Sequence, residues 1–144
     1  MTKPLIPQTL KGLARLLAKH SKQVVLVPEI NSGARQSNKI LIVISRIPEF
    51  NSIRKRSGKI SFGTGATFGQ VLTQIQGENG LLKQALSMVA NPLIRNRITV
   101  CEGLDPESPY FDLSTALVTL RARVRVQSVS GSRILGIENY LLEA

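Results

Sequence analysis

The sequence predicts an α+β protein of short strands and amphipathic helices, and three observations support this class. Over residues 1–50 a helical pattern is followed by two short apolar runs, in the order helix, strand, loop, strand. Two later segments have the pattern of β-hairpins. Between these hairpins, apolar residues recur at helical spacing. With 144 residues and 42% hydrophobic content, the chain is long enough for one compact unit or for two small lobes that share a core.

The opening helix and strands predict a small α/β lobe over residues 1–50. Thr9 is placed to cap the helix, whose apolar stripe consists of Leu10, Leu13, Leu16 and Leu17. Apolar runs at 23–27 and 39–45 predict two buried strands, separated by a polar loop.

Residues 51–144 predict a larger lobe, in which two hairpins flank a helical region. The expected elements are hairpin strands at 53–56 and 59–62, helices at 68–76, 81–90 and 112–120, and hairpin strands at 121–126 and 133–137. Turns at Ser57-Gly58 and Ser130-Gly131 would close the two hairpins.

The sequence is strongly basic, which favours an acidic binding partner. Lysine and arginine number 19 against 9 acidic residues, a formal net charge of +10. Along 121–126 apolar and basic residues alternate, so the arginines would share one outward face. This pattern is typical both of a docking face for an acidic protein or nucleic acid and of a solvated surface without a partner. The residues assigned to the docking face are Arg54, Lys55, Arg56, Arg121, Arg123 and Arg125.

Composition also argues against several kinds of site. Cys101 is the single cysteine and His20 the single histidine, so neither an internal disulfide nor a metal site is expected. The acids Asp105, Glu107 and Asp112 cluster around two prolines, and loop acids near proline form turns and caps more often than cation sites. No apolar stretch approaches membrane-spanning length and no export signal is recognisable, so we expect a cytoplasmic protein without membrane insertion. Aromatic residues make up only 4% of the chain, so side chains on which the bases of single-stranded nucleic acid could stack are scarce.

Four segments, in order, resemble one family, the FAD-binding domain of the medium subunit of molybdenum hydroxylases such as xanthine dehydrogenase and carbon monoxide dehydrogenase. They are TLKGLARLLAKH with QVVLV, ILIVISRIPEF, KISFGTGATFGQVLTQ, and LSMVANPLIRNRITV. The last is the most specific, because residues 94–100 contain the family's Ile-Arg-Asn-Arg-x-Thr-Val strand. Ser108, Pro109 and Asp112 follow at the family's spacing, and DLSTALVTLRARVRV continues the resemblance.

The resemblance implies a fold and a cofactor. A small parallel α/β lobe would pack on a larger lobe with an antiparallel sheet and flanking helices, with FAD in the cleft between them. In such subunits the flavin passes electrons between iron-sulfur clusters and NAD or another acceptor. The family's C-terminal domain has no expected counterpart in this sequence, and no catalytic residue or metal ligand is implied. Positions matching the cofactor contacts are Val27, Pro28, Glu29, Ile30, Asn31, Gly33, Gly65, Ala66, Thr67, Ile94, Arg95, Asn96, Thr99, Val100, Cys101, Glu102, Gly103 and Asp112.

Two loops depart from the family where the resemblance places the flavin pyrophosphate. The first loop, residues 27–31, reads VPEIN in place of Ala-Gly-Gly-Thr-Asp, and the second loop, residues 99–103, reads TVCEG in place of Thr-Val-Gly-Gly-Asn. Glycines allow a phosphate to approach backbone N–H groups. A proline removes one donor, and a glutamate adds a negative charge. We therefore expect FAD binding to be weakened or lost.

Three functional hypotheses remain open. The first is a non-catalytic or accessory subunit that binds a protein partner, either an acidic protein or an iron-sulfur or molybdopterin subunit. The alternative is a functioning FAD-binding electron-transfer subunit of a molybdenum hydroxylase-type oxidoreductase. The third is a nucleic-acid-binding module, which strongly salt-dependent binding would reveal. Flavin absorbance of the purified protein separates the first two.

Overall fold

A computed structural model describes residues 4–20, 24–27, 40–75, 77 and 80–143, with the side chains of 24–27 outside the description. The described helices are α1 (Leu10–His20), α2 (Pro48–Asn51), α3 (Phe68–Gln74), α4 (Gly80–Met88), α5 (Pro92–Arg95), α6 (Asp112–Thr119) and α7 (Ile137–Glu143). The described strands are β1 (Val24–Val27), β2 (Ile40–Val43), β3 (Ile53–Arg56), β4 (Lys59–Phe62), β5 (Arg123–Ser128) and β6 (Gly131–Gly136). This mixed architecture confirms the predicted fold class.

The first part of the chain contains a parallel pair of strands packed against α1. Helix α1 starts where predicted, because the Thr9 hydroxyl accepts a hydrogen bond from the Gly12 N–H at 3.0 Å. Strands β1 and β2 run parallel in one sheet, which confirms the parallel strand pairing that the resemblance implied. A small core of Leu13, Ile42 and Ile47 is buried against them.

A larger core is formed by the helices that follow the first hairpin. Its fully buried side chains include Phe68 on α3, Leu86 on α4 and Leu113 on α6. Helices α4 and α6 pack against each other, and α7 packs on α6 and β6. Helix α1 also lies against β5, so the two hydrophobic clusters are connected through this contact.

Both predicted hairpins are present in the structure. Strands β3 and β4 pair antiparallel around Ser57 and Gly58, whose φ values are +50° and +70°. Positive φ at both central residues matches the right-handed twist of a hairpin. Strands β5 and β6 also pair antiparallel, and their turn contains Gly131 at φ +142°.

The second hairpin differs from the prediction at its start and end. Arg121 is not in β5: its φ is +50°, and it follows the end of α6. The Ala122 N–H donates to the Leu117 carbonyl and the Arg121 N–H to the Val118 carbonyl, which is a Schellman motif. The C-cap of α6 thus includes residues whose alternation predicted a strand.

Helix α7 occupies residues that were predicted as the end of a strand or left unassigned. Its first residue, Ile137, is only 1% exposed and donates its N–H to the Ala122 carbonyl. Tyr140 and Leu141 pack against the larger core at helical spacing from Ile137. In the described part of the chain, the helices are all too short or too polar to cross a membrane.

Candidate FAD site

The structure brings together two predicted site segments that are far apart in sequence. Residues 64–68 run antiparallel to residues 98–101, with a bridge between Thr67 and Thr99. The Val100 N–H donates to the Ala66 carbonyl at 2.9 Å, and the Cys101 N–H donates to the Thr64 carbonyl at 2.8 Å. The turn containing Gly65, Ala66 and Thr67 therefore lies directly beside the second loop.

A helix cap holds the first of these segments in place. The Gln70 N–H donates to the Thr67 hydroxyl at 3.2 Å, while the Thr67 N–H donates to the Gln70 side-chain oxygen at 2.9 Å. This reciprocal capping box fixes the start of α3. Its Thr-x-x-Gln spacing is visible in the sequence, although Gln70 was not among the predicted site residues.

The glycines before Thr67 are required by packing against α2. The Gly65 N–H donates to the Phe50 carbonyl at 2.8 Å. A Cβ atom on Gly63 would collide with the backbone of Glu49 and Phe50. Glycine here permits contact between two parts of the backbone, so its presence does not itself indicate an open phosphate site.

The second loop contains another capping box. The Glu102 carboxylate accepts hydrogen bonds from the Thr99 N–H at 2.7 Å and from the Thr99 hydroxyl at 2.9 Å. In return, the Glu102 N–H donates to the Thr99 hydroxyl at 3.3 Å. The acid that the sequence placed in the phosphate loop is thus bound to donors of that same loop.

Each backbone N–H of the second loop has an acceptor within the chain. The N–H groups of Thr99, Val100, Cys101 and Glu102 each donate to an acceptor within the chain. The Gly103 N–H donates to the Thr99 carbonyl at 3.1 Å. A pyrophosphate needs N–H groups that are free to donate to it. In the arrangement described, the second loop does not fit this group.

Gly103, which stands where the family has asparagine, packs against the larger core. A Cβ atom here would lie 2.6 Å from Cζ of Phe68 and 2.9 Å from Cδ2 of Leu113. Its carbonyl accepts a hydrogen bond from the Ser114 hydroxyl at 2.9 Å. Ser114 is 1% exposed and was missed by the sequence prediction. No local signal identifies it, because the partner is on another element.

The residues before the second loop have structural partners. One nitrogen of the Arg95 guanidinium, Nη1, donates to the carbonyls of Ser87, Val89 and Ala90 at 2.7 to 3.1 Å. Arg95 therefore caps the C-terminal end of α4. Ile94 packs against the larger core, and the Asn96 side chain lies over Gly69 of α3.

Asp112 is the first residue of α6 and is exposed. Asp112 does not cap this helix, because the N-cap is Phe111 and no side-chain cap bond is made. Asp105 does form the turn expected of an acid beside proline, since its carboxylate accepts from the Glu107 N–H at 3.0 Å.

The first loop is largely beyond the described structure. Val27 ends β1, whereas Pro28, Glu29, Ile30, Asn31 and Gly33 lie outside the described residues. Their assignment to the cofactor stays a prediction.

Cys101 is an exposed residue with a weakly acidic thiol. Burial of the thiol group raises the pKa of Cys101, and the Glu102 and Asp105 carboxylates raise it further. A thiol with a raised pKa is mostly protonated near neutral pH and is a poor nucleophile. Among the described residues, no group of three or more side chains of the metal-binding types is assembled.

The basic residues are divided between several surfaces. In the first hairpin, Arg54 and Arg56 lie on the outer face with Lys59, which the sequence prediction omitted, while Lys55 alternates to the opposite face. Arg56 is directly opposite Lys59. The predicted docking residues Arg123 and Arg125 are exposed on β5, whereas Arg121 belongs to the end of α6.

The parallel strand pair, the two hairpins and the paired loops define an α+β unit of the flavoprotein type. The model of the FAD binding domain in molybdopterin dehydrogenases matches residues 2–144, and the chain belongs to this family. This confirms the resemblance stated from the sequence.

Two curated relatives have similar sequences. The chain is 32% identical over 119 residues to the 6-hydroxypseudooxynicotine dehydrogenase complex subunit alpha of Paenarthrobacter nicotinovorans, covering 81% of this chain and 40% of that protein. It is 32% identical over 117 residues to the nicotinate dehydrogenase FAD-subunit of Eubacterium barkeri, covering 80% of this chain and 39% of that protein. The chain thus spans about two fifths of the length of these relatives.

Two solved structures share the fold. Carbon monoxide dehydrogenase from Hydrogenophaga pseudoflava, in a form lacking the Mo-pyranopterin moiety, superposes with a TM-score of 0.75 at 21% identity, over 98% of this chain and 53% of that chain. Quinoline 2-oxidoreductase from Pseudomonas putida 86 superposes with a TM-score of 0.74 at 20% identity, over 95% of this chain and 50% of that chain.

Proposed function

We propose that this chain binds FAD as part of a cytoplasmic electron-transfer subunit of a molybdenum hydroxylase-type oxidoreductase. The observation that carries the proposal is the family match over residues 2–144. The juxtaposition of the 64–68 turn with the second loop supports it, because both segments contain predicted FAD contacts. The relative named as an FAD-subunit gives further support. This is the second of the three hypotheses raised by the sequence.

We also propose two lobes, over residues 1–50 and 51–144, with FAD between them. Phe50 packs with the small core and Ile53 with the large core, which supports a boundary at this position. The proposed cofactor residues remain those of the first loop with Gly33, the turn at 65–67, residues 94–96, the second loop and Asp112.

The test is an equilibrium titration of purified protein with FAD, followed by quenching of flavin fluorescence. We expect saturable binding of one FAD per chain and a visible flavin absorbance band after gel filtration. Riboflavin, which lacks the pyrophosphate and the adenosine, is the control and should bind more weakly. Absence of quenching up to millimolar FAD would contradict the proposal.

A second candidate is an accessory subunit that has lost FAD and only binds a protein partner. The observation favouring it is that each second-loop N–H already has an acceptor within the chain. Its partner would be an acidic protein or an iron-sulfur or molybdopterin subunit, docked on the exposed arginines. A colourless protein that forms a stoichiometric complex with such a subunit, and loses it when Arg54 and Arg56 are both changed to Glu, would establish this candidate. Equal binding to duplex DNA would argue against it.

A further inference from the structure

The five N–H groups of the second loop are held in two different ways. Those of Val100, Cys101 and Gly103 donate to backbone carbonyls. Those of Thr99 and Glu102 donate to side chains. The Thr99 N–H donates to the Glu102 carboxylate, and the Glu102 N–H donates to the Thr99 hydroxyl. A backbone partner can be removed only by moving the chain, whereas a side-chain partner is removed by rotation about its own bonds.

Glu102 therefore occupies the donors of this loop that can be released most easily. Its carboxylate receives two hydrogen bonds from Thr99, one from the N–H and one from the hydroxyl. A phosphate oxygen is an anionic acceptor of the same kind and would use the same two donors. Glu102 is exposed, so a dissolved anion can reach this position.

We infer that Glu102 is an internal competitor for the pyrophosphate of FAD at Thr99, and that it sets the affinity of this chain for the cofactor. The inference rests on the proposed function, because it takes the second loop as part of the FAD site. For FAD to use Thr99, the carboxylate must leave its two hydrogen bonds. A carboxylate that stays nearby also repels the phosphates.

The alternative role for Glu102 is purely structural. The Thr-x-x-Glu capping box stabilises the turn at Glu102–Leu104 whether or not a ligand binds. Under this role, removal of the carboxylate lowers stability and leaves FAD affinity unchanged or reduced. The two roles thus predict opposite changes in affinity.

The experiment compares wild type with Glu102→Ala, Glu102→Gln and Glu107→Gln by FAD titration. Glu102→Ala frees both Thr99 donors and removes the charge, so we expect FAD to bind about tenfold more tightly. Glu102→Gln removes the charge but retains an amide oxygen that can cap Thr99, so its affinity should lie between those of wild type and Glu102→Ala. Glu107→Gln removes an equal charge from an exposed residue whose backbone N–H donates to Asp105, away from the Thr99 donors, and it should bind like wild type.

Riboflavin and a thermal unfolding curve complete the test. Riboflavin has no phosphate, so its affinity should be the same in all four proteins. The inference is overturned if Glu102→Ala and Glu102→Gln bind FAD no more tightly than wild type, or if riboflavin gains as much as FAD. Unfolding curves identify any variant that is not folded, and Glu102→Gln, which keeps the cap, then decides the result.

The outcomes separate this inference from the proposed function. If wild type binds FAD and the Glu102 variants gain nothing, the function stands and the inference fails. If only the Glu102 variants bind FAD, the inference stands and the proposed function of the native chain fails. If no variant binds FAD, both are wrong.

Discussion

Gly103 illustrates how one residue type can satisfy two different requirements. The resemblance placed it among the cofactor contacts, at a position where the family has asparagine, but its Cα faces the Phe68 ring and the Leu113 side chain at distances that leave no room for a Cβ. This packing role of Gly103 was not predicted from the sequence. The neighbouring Glu102 was interpreted from the sequence only as a charge in the phosphate loop, although its Thr-x-x-Glu spacing with Thr99 is that of the observed capping box.

Replacement of Gly103 by alanine tests this packing role. The added methyl group must displace Phe68 or Leu113 in a closely packed core, so we expect a loss of about 1–3 kcal/mol in the free energy of unfolding. Urea denaturation measures this change. Gly136→Ala is the matched control, because a Cβ at Gly136 meets nothing within 4 Å, and it should leave stability within about 0.5 kcal/mol of wild type. Equal effects of the two substitutions would contradict the packing role.

At the scale of elements, helix endings were the hardest feature to place from sequence. Strict alternation along 121–126 predicted one strand, yet α6 takes Arg121 and Ala122 into its C-terminal Schellman motif. Arg121 has φ +50°, a conformation that glycine adopts without strain and arginine does not. The hydrogen bonds that hold Arg121 there depend on the residue at which α6 ends. The alternation of apolar and basic residues along 121–126 does not indicate that residue.

Replacement of Arg121 by glycine tests this ending. We expect Arg121→Gly to stabilise the protein by about 0.5–1 kcal/mol, because the left-handed position no longer carries a side chain. Arg123→Gly, two residues later within β5, should instead destabilise it by a similar amount, since glycine weakens a strand. Chemical denaturation of both variants gives the comparison. Destabilisation by Arg121→Gly would mean that Arg121 is extended, as the sequence pattern first indicated.

Over the whole molecule, the main question is how strongly the two hydrophobic clusters are coupled. Leu13, Ile42 and Ile47 form one cluster, and Phe68 belongs to the other. Contact between α1 and β5 connects them, as does the hydrogen bond from Gly65 to Phe50. These contacts favour unfolding as one cooperative unit.

The tyrosines provide a local reporter for this coupling. Tyr110 and Tyr140 both pack against the large core, and the chain has no tryptophan. We expect Leu13→Ala, in the small core, to cost about 2–5 kcal/mol and to lower the unfolding midpoint seen by tyrosine fluorescence as well as by circular dichroism. Lys11→Ala, on the exposed side of α1, should leave both midpoints in place. A tyrosine midpoint that does not move in Leu13→Ala would show that the clusters unfold separately.

The sequence by itself predicted both hairpins and most of the longer helices, because apolar periodicity and turn residues act over short distances. The family and the parallel strand pair followed from the resemblance of four ordered motifs. The sequence also placed Thr9 as a helix cap and identified the turn residues Ser57 and Gly58. Only the tertiary structure decided that Arg95 caps α4, that Ser114 binds the Gly103 carbonyl and that Gly103 packs against Phe68. The reason is that these roles depend on which donors and acceptors are left over once distant segments have come together, and no local pattern records that outcome.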